Sequence, residues 1–212
     1  TTTTTTSAPA PGASVDCTKL KCVALTFDDG PGPHTASILD TLKAKGVKAT
    51  FFEIGTSVRT YSQVVTRQVA EGHVIGSHTW DHKQLTKMDA GAQASEIDRA
   101  ADAIAAAGAP RPTIMRPPYG SYNAATKGLG WPIILWNVDS EDWKNRNAAA
   151  TTALIMKEVR RGSIVLMHDI WPSTAEALPG IIDQLRAQGY TFVTVPQLTT
   201  ITPGKVISGQ KV

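Results

Sequence analysis

Short apolar runs alternate along the chain with longer stretches whose apolar residues recur every three or four positions. Cys22–Phe27 reads as a strand, and Thr35–Lys45 as a helix with Ile38, Leu39 and Leu42 on one face. Ala49–Glu53 is the next strand, followed by a helix over about Tyr61–Glu71 and a strand at Val74–Ser77. A long alanine-rich helix runs from an Asp89 N-cap to Ala107, where Gly108 and Pro110 stop it. Thr113–Arg116, Ile133–Trp136, Ser163–Met167 and Thr191–Val195 supply four more strands, with helices near Ala148–Arg160 and Ala175–Gln188 between the last three. About seven β/α repeats, with no internal sequence repeat, predict an α/β barrel in preference to separate domains.

The pattern fades at both ends. Thr1 to Ser14 is rich in threonine, proline and alanine without periodicity, so residues 1–16 read as a linker that tethers a secreted module. The folded unit is expected over residues 17–198, and residues 199–212 as a polar tail broken by Pro203 and Gly204. The 212 residues suffice for one domain with a sizeable core. No apolar run approaches the ~18 residues of a membrane span, and no signal peptide opens the chain, which reads as a processed form. The net charge of +3 is small and scattered, which suits weak attraction to an anionic cell wall and gives no nucleic-acid footprint. Cys17 and Cys22, the only cysteines, read as a short-loop disulfide or as two unpaired thiols, with the disulfide favoured. The absence of an N-x-S/T sequon suits a bacterial secreted protein.

Chemistry gathers where strands end. The first strand runs into Asp28-Asp29, the third into Ser77-His78, the fourth ends at Arg116, the fifth leads to Asp139, and the sixth into His168-Asp169. In a parallel barrel these ends share one face, where such folds keep their chemistry. His78 and His82 stand four apart, a spacing that aims two imidazoles at one point and suits a zinc-like metal. An isolated pair of that spacing also occurs among ordinary loop residues. Because Thr79 follows the first histidine in place of the zincin glutamate, a third ligand and a base must come from elsewhere. Asp28 and Asp29 can divide those tasks, one ligating and the other free as a base, although Asp-Gly-Pro-Gly is also turn chemistry. His168 follows an apolar strand as a candidate general acid, with Asp139 to fix its tautomer. Arg116 precedes a rigid Pro117-Pro118-Tyr119-Gly120 loop suited to hold a backbone N–H outward. Trp80, Trp136 and Trp143 offer faces for sugar rings, or simply core.

Five stretches resemble, in order, the motifs of the NodB-like polysaccharide deacetylases, carbohydrate esterase family 4. They are Thr26-Phe27-Asp28-Asp29-Gly30, His78-Thr79-Trp80-Asp81-His82, Arg116-Pro117-Pro118-Tyr119, Asp139-Ser140-Glu141-Asp142-Trp143 and Leu166-Met167-His168. The resemblance spans about Lys21 to Leu198 and implies a distorted (β/α) barrel of seven strands, the NodB homology domain. It implies Asp28 as general base, Asp29, His78 and His82 as metal ligands, and Arg116 as the residue holding the base. It further implies the Tyr119 backbone N–H in the oxyanion hole, His168 as general acid oriented by Asp139, and Trp143 and Leu166 around the acetyl methyl. Trp80 joins Tyr119, Trp143 and Leu166 as an expected substrate contact. Lys83 and Glu53 depart from the family pattern and are expected to face the groove.

These expectations describe a secreted or cell-wall-associated, monomeric, zinc-dependent deacetylase, with cobalt or another divalent ion able to substitute. Its partners would be acetylated polysaccharides: peptidoglycan, chitin and its oligomers, or O-acetylated xylan. The rival readings are a non-catalytic carbohydrate-binding barrel, which has no use for Asp28 and His168, and a non-haem iron oxygenase, whose two histidines and carboxylate match the same triad.

Overall fold

The computed structural model describes residues 15–210; residues 1–14 of the expected linker lie outside them. The strands are β1 (Cys22–Asp28), β2 (Thr50–Glu53), β3 (Val74–Ser77), β4 (Ile133–Ile134), β5 (Val138–Asp139), β6 (Ser163–His168), β7 (Thr191–Phe192) and β8 (Val206–Ile207). The first helices are α1 (Thr35–Ala44), α2 (Gly55–Thr60), α3 (Ser62–Ala70) and α4 (Ala90–Ala106). They are followed by α5 (Ala124–Gly128), α6 (Asp142–Asn145), α7 (Ala148–Glu158), α8 (Pro172–Ala187) and α9 (Val195–Leu198). Asp89 caps α4 as its sequence suggests, its side chain accepting from Ala92 N.

The main sheet is parallel, in the order β3-β2-β1-β6-β5, with β7 against the start of β1. The fourth strand expected at Thr113–Arg116 shrinks to Met115, which bridges Ser77 on one side and Ile133 on the other and so carries the sheet on to β4. Pro112 and Pro117 flank this stretch and remove donors a longer ladder would need. The result is a distorted (β/α) barrel whose ring is not one continuous ladder. The polar tail does not stay outside the fold, because Val206 and Ile207 pair in parallel with β4 and Gly209 bridges Ser163.

The alternation of β1 sorts the interior. Val23, Leu25 and Phe27 face the outer helices and join Ile38, Leu42, Phe51, Ile155, Leu178 and Ile182 in one core cluster. Ala24 points the other way, into a second cluster with Phe52, Ile114, Ile134 and Ile164 inside the ring. The same period of two brings Thr26 and then Asp28 inward at the C-terminal end of the strand. Cys17 and Cys22 form the expected disulfide, which ties the incoming chain to the opposite end of β1. No helix among the described residues is long and apolar enough to cross a membrane.

Candidate active site

The two aspartates after Phe27 part company. Asp28 is 3% exposed and its Oδ1 accepts from Arg116 Nη1 at 2.7 Å. Arg116 is fully buried inside the ring and donates to Thr26 Oγ1 (2.8 Å), Ile134 O (2.9 Å) and Leu135 O (3.0 Å) as well. Its guanidinium lies 4.2 Å from the Phe52 ring centre. A planar five-donor fork satisfied on every side cannot swing, so it fixes the Asp28 carboxylate in place.

Asp29 adopts a left-handed φ of 71°, which turns its side chain away from Arg116. Its Oδ1 lies 3.3 Å from His78 Nε2 and 3.2 Å from His82 Nε2. The ligand atoms of Asp29, His78 and His82 all fall within 4.8 Å of one another. His78 Nδ1 lies 2.7 Å from the Arg116 carbonyl, an acceptor that requires the proton on that nitrogen. In the neutral ring Nε2 is therefore a lone pair facing a carboxylate oxygen that is buried and has no hydrogen-bond partner. Lone pairs converging on one point suit a cation, and the set of two imidazoles and a carboxylate suits zinc. Burial alone would raise the Asp29 pKa. With the imidazoles protonated, a hydrogen bond from His78 and the charges of His78, His168 and His82 outweigh it and hold the group at about 2, the ionised form that a metal ligand would need.

His168 ends β6 on the same face. Its Nδ1 lies 2.7 Å from Asp142 Oδ1, while its backbone N–H donates to Asp142 Oδ2, also at 2.7 Å. Thr174 Oγ1 donates to that second oxygen, so the buried carboxylate is fully engaged. The pairing of His168 with Asp139 is thereby corrected. Asp139 Oδ1 instead accepts from Glu141 N at 2.9 Å, a local turn bond. Sequence reasoning quoted Asp142 within the fourth motif without assigning it. Its place at the start of α6, three residues beyond the strand end, is visible only in the fold.

Of the expected substrate contacts, Tyr119 and Trp143 are exposed at 69% and 48%, and Trp143 directly follows Asp142 in α6. Tyr119 has a φ of 61° and sets its ring 4.8 Å from that of His82. Leu166 is buried two residues before His168, on the same face of β6. Trp80 does not offer a free face. Arg99 covers its ring at 4.2 Å, and the ring packs so tightly on Gly55 that a Cβ there would come within 2.5 Å. Glu53 does not face the groove either. It is fully buried beneath Gly30, accepts from Gln68 Nε2 and lies near Asp169. Lys83 is exposed and pairs with Asp81 at 2.6 Å.

A (β/α) barrel with a carboxylate–bis-histidine triad, an Arg-held aspartate and an Asp-paired histidine at one rim fits the class of proteins with a metal-centred catalytic site. Residues 15–130 match the family model for polysaccharide deacetylase, and the chain belongs to that family. It is 47% identical over 180 residues to a peptidoglycan-N-acetylglucosamine deacetylase of Listeria monocytogenes, covering 84% of this chain and 39% of that protein. It is 40% identical over 190 residues to a chitin deacetylase of Pestalotiopsis sp, covering 84% of this chain and 64% of that one. Among solved structures, one described as T48 deacetylase with substrate superposes with a TM-score of 0.89 at 45% identity, covering 92% of this chain and all of that one. The chain thus spans about two fifths of the length of the Listeria relative.

Proposed function

We propose that this domain hydrolyses acetyl groups from polysaccharides and releases acetate. N-acetylglucosamine polymers, peptidoglycan or chitooligosaccharides, are the favoured substrates, and O-acetylated xylan is the alternative. The observation that carries this reading is the division of the adjacent aspartates: Asp28 is held by Arg116, and Asp29 faces His78 and His82. Asp29, His78 and His82 would hold the metal, which we take to be zinc. When bound, the ion supplies a Lewis acid that polarises the acetyl carbonyl and acidifies water.

Asp28 takes the proton of the attacking water, and Arg116 keeps the carboxylate aimed for that role. The Tyr119 backbone N–H, on its left-handed turn, donates to the oxygen that gains charge. His168 gives its proton to the departing amine or hydroxyl, and Asp142 holds the ring tautomer and stabilises the imidazolium. Leu166 and Trp143 receive the acetyl methyl, and exposed Tyr119 and Trp143 offer apolar faces to sugar rings.

A secreted or wall-associated setting agrees with the disulfide, since such bonds persist in oxidising compartments. Residues 1–16 then serve as a tether, and the domain acts as a monomer. The test is acetate release from peptidoglycan, chitooligosaccharides and acetylxylan side by side, with zinc and after chelation, for the wild type and Asp28→Ala. Metal-dependent release that Asp28→Ala loses supports the reading. No release from any of the three polymers, or equal release by Asp28→Ala, refutes it. Oxygen-dependent turnover with bound iron would favour the oxygenase.

A further inference from the structure

The loop carrying His78 and His82 is held along its backbone from two sides, and one of the groups holding it has no part in the chemistry above. Thr79 and His82 have left-handed φ angles of 69° and 62°, which non-glycine residues keep only where their surroundings impose them. The carbonyls of Thr79 and Trp80 accept from Gly55 N and Thr56 N, in the first turn of α2, at 3.0 and 2.9 Å. The amides of Trp80 and Asp81 both donate to a single side-chain oxygen, Glu96 Oε2, at 3.1 and 3.3 Å. Glu96 is 4% exposed and sits on α4 beside Ile97, Ala100 and Ala101, all fully buried. Arg99, on the same helix, lies over the Trp80 ring.

We propose that Glu96 is a positioning residue for the metal centre: through the Trp80 and Asp81 amides it sets the direction in which His78 and His82 face Asp29. The proposal rests on the reading of Asp29, His78 and His82 as metal ligands. A buried side-chain oxygen accepting two backbone amides satisfies donors that would otherwise be stranded in the interior. Without it, two amides of the loop lose their acceptor, and on the α4 side only side-chain contacts such as Arg99 over Trp80 are left to oppose relaxation of Thr79 and His82 out of their left-handed conformations. The two imidazoles would then no longer meet at one point.

The test is the zinc affinity of chelator-stripped protein, measured by competition with a chromophoric chelator, beside the thermal midpoint of each variant. Glu96→Met fills similar space without an acceptor. Loss of an outer partner of metal ligands costs about 10–100-fold in affinity, and Glu96→Met should fall in that range. Glu96→Gln keeps an amide oxygen able to accept both N–H groups, and should retain most of the wild-type affinity. Ile104→Val, on the same helix without a bond to the loop, should lower the midpoint and leave zinc affinity unchanged. Should Glu96→Met not fold, Glu96→Ala takes its place. Wild-type zinc affinity in the variant that lacks the acceptor, or an equal loss in Ile104→Val, overturns the positioning role. A wild type that binds no zinc, or binds it undiminished in Asp29→Ala, overturns the ligand reading itself and this proposal with it.

Discussion

His168 and Asp142 are joined twice, ring nitrogen to Oδ1 and backbone N–H to Oδ2, each at 2.7 Å. Burial alone would lower the His168 pKa. The hydrogen bond and charge of Asp142, with the charges of Asp28 and Asp29, more than offset it and push the group up to about 9. His168 is therefore protonated through neutral pH, as the proposed general-acid role requires.

Asp142→Asn removes that charge, so the high-pH limb of kcat/KM should move to lower pH, whereas Asp139→Asn should leave it in place. The stability linkage has a matching sign. A histidine raised above its ordinary 6.5 stabilises the fold fully below that pH, and the contribution is lost as pH rises through about 9. Asp142→Asn should thus cost more stability at pH 6 than at pH 10. Rate profiles and thermal midpoints of both variants check this, and a limb moved by Asp139→Asn alone would restore Asp139 as the partner.

The contrast between the two aspartates shows what the sequence could and could not reveal. Strand-end chemistry at Asp28, His78 and His168 was legible because period-two burial and a parallel fold send those positions to one rim. Asp142 was not, because the chain leaves β5 through Glu141 at a left-handed φ of 49° before α6 begins. That turn swaps the spatial order of Asp139 and Asp142 relative to the histidine, and no residue pattern announces it. Glu53 was misread for a related reason: a charged side chain at a strand end suggests exposure, and only tertiary packing encloses it beneath Gly30. The strand at Val206–Ile207 is two residues long, too short for any periodicity to mark.

Asp28 and Asp29 should fail differently. On the proposed roles Asp29→Ala removes one of three metal ligands, so zinc affinity should fall and activity with it, with partial recovery in excess metal. Asp28→Ala should keep near-stoichiometric zinc and lose about 10²–10⁴-fold in rate, the usual scale for a general base. Metal content and acetate release are measured together for each variant. The reverse pattern, with Asp28→Ala losing metal and Asp29→Ala keeping it, would exchange their roles.

Glu53 and Asp169 form a second buried acid pair behind the Asp28-Asp29 turn. Burial, then the charges of Asp169, Asp28 and Asp29, raise Glu53 well above its ordinary 4.5. Burial and the charge of Asp29, against the Thr35 hydrogen bond, push Asp169 up to about 7. An acid whose pKa rises on folding keeps a proton the unfolded chain has lost, so its contribution makes stability fall as pH rises from about 4 towards 7. Glu53→Gln still accepts from Gln68 but cannot ionise. Its thermal midpoint relative to the wild type should therefore rise between pH 4.5 and pH 7.5, measured with chelator present. A difference that does not change with pH would mean that Glu53 is ionised in the fold.

Arg116 ties Asp28, the proposed base, to the barrel wall, and its loss should reveal the cost of leaving Asp28 alone. Removing one partner of a buried ion pair typically destabilises by about 3–5 kcal/mol, because an uncompensated charge remains. Arg116→Met keeps the bulk beside Phe52 and removes the charge, so it should lose stability on that scale. Asp28→Asn added to it removes the stranded carboxylate and should recover part of the loss. Recovery stays incomplete, since the Ile134 and Leu135 carbonyls that accepted from Arg116 are still without a donor. Both variants should be inactive, so the readout is urea unfolding followed by tryptophan fluorescence. If the double variant were no more stable than Arg116→Met, the penalty would lie in lost carbonyl bonds and packing, and the Asp28–Arg116 pair would not be what anchors the base.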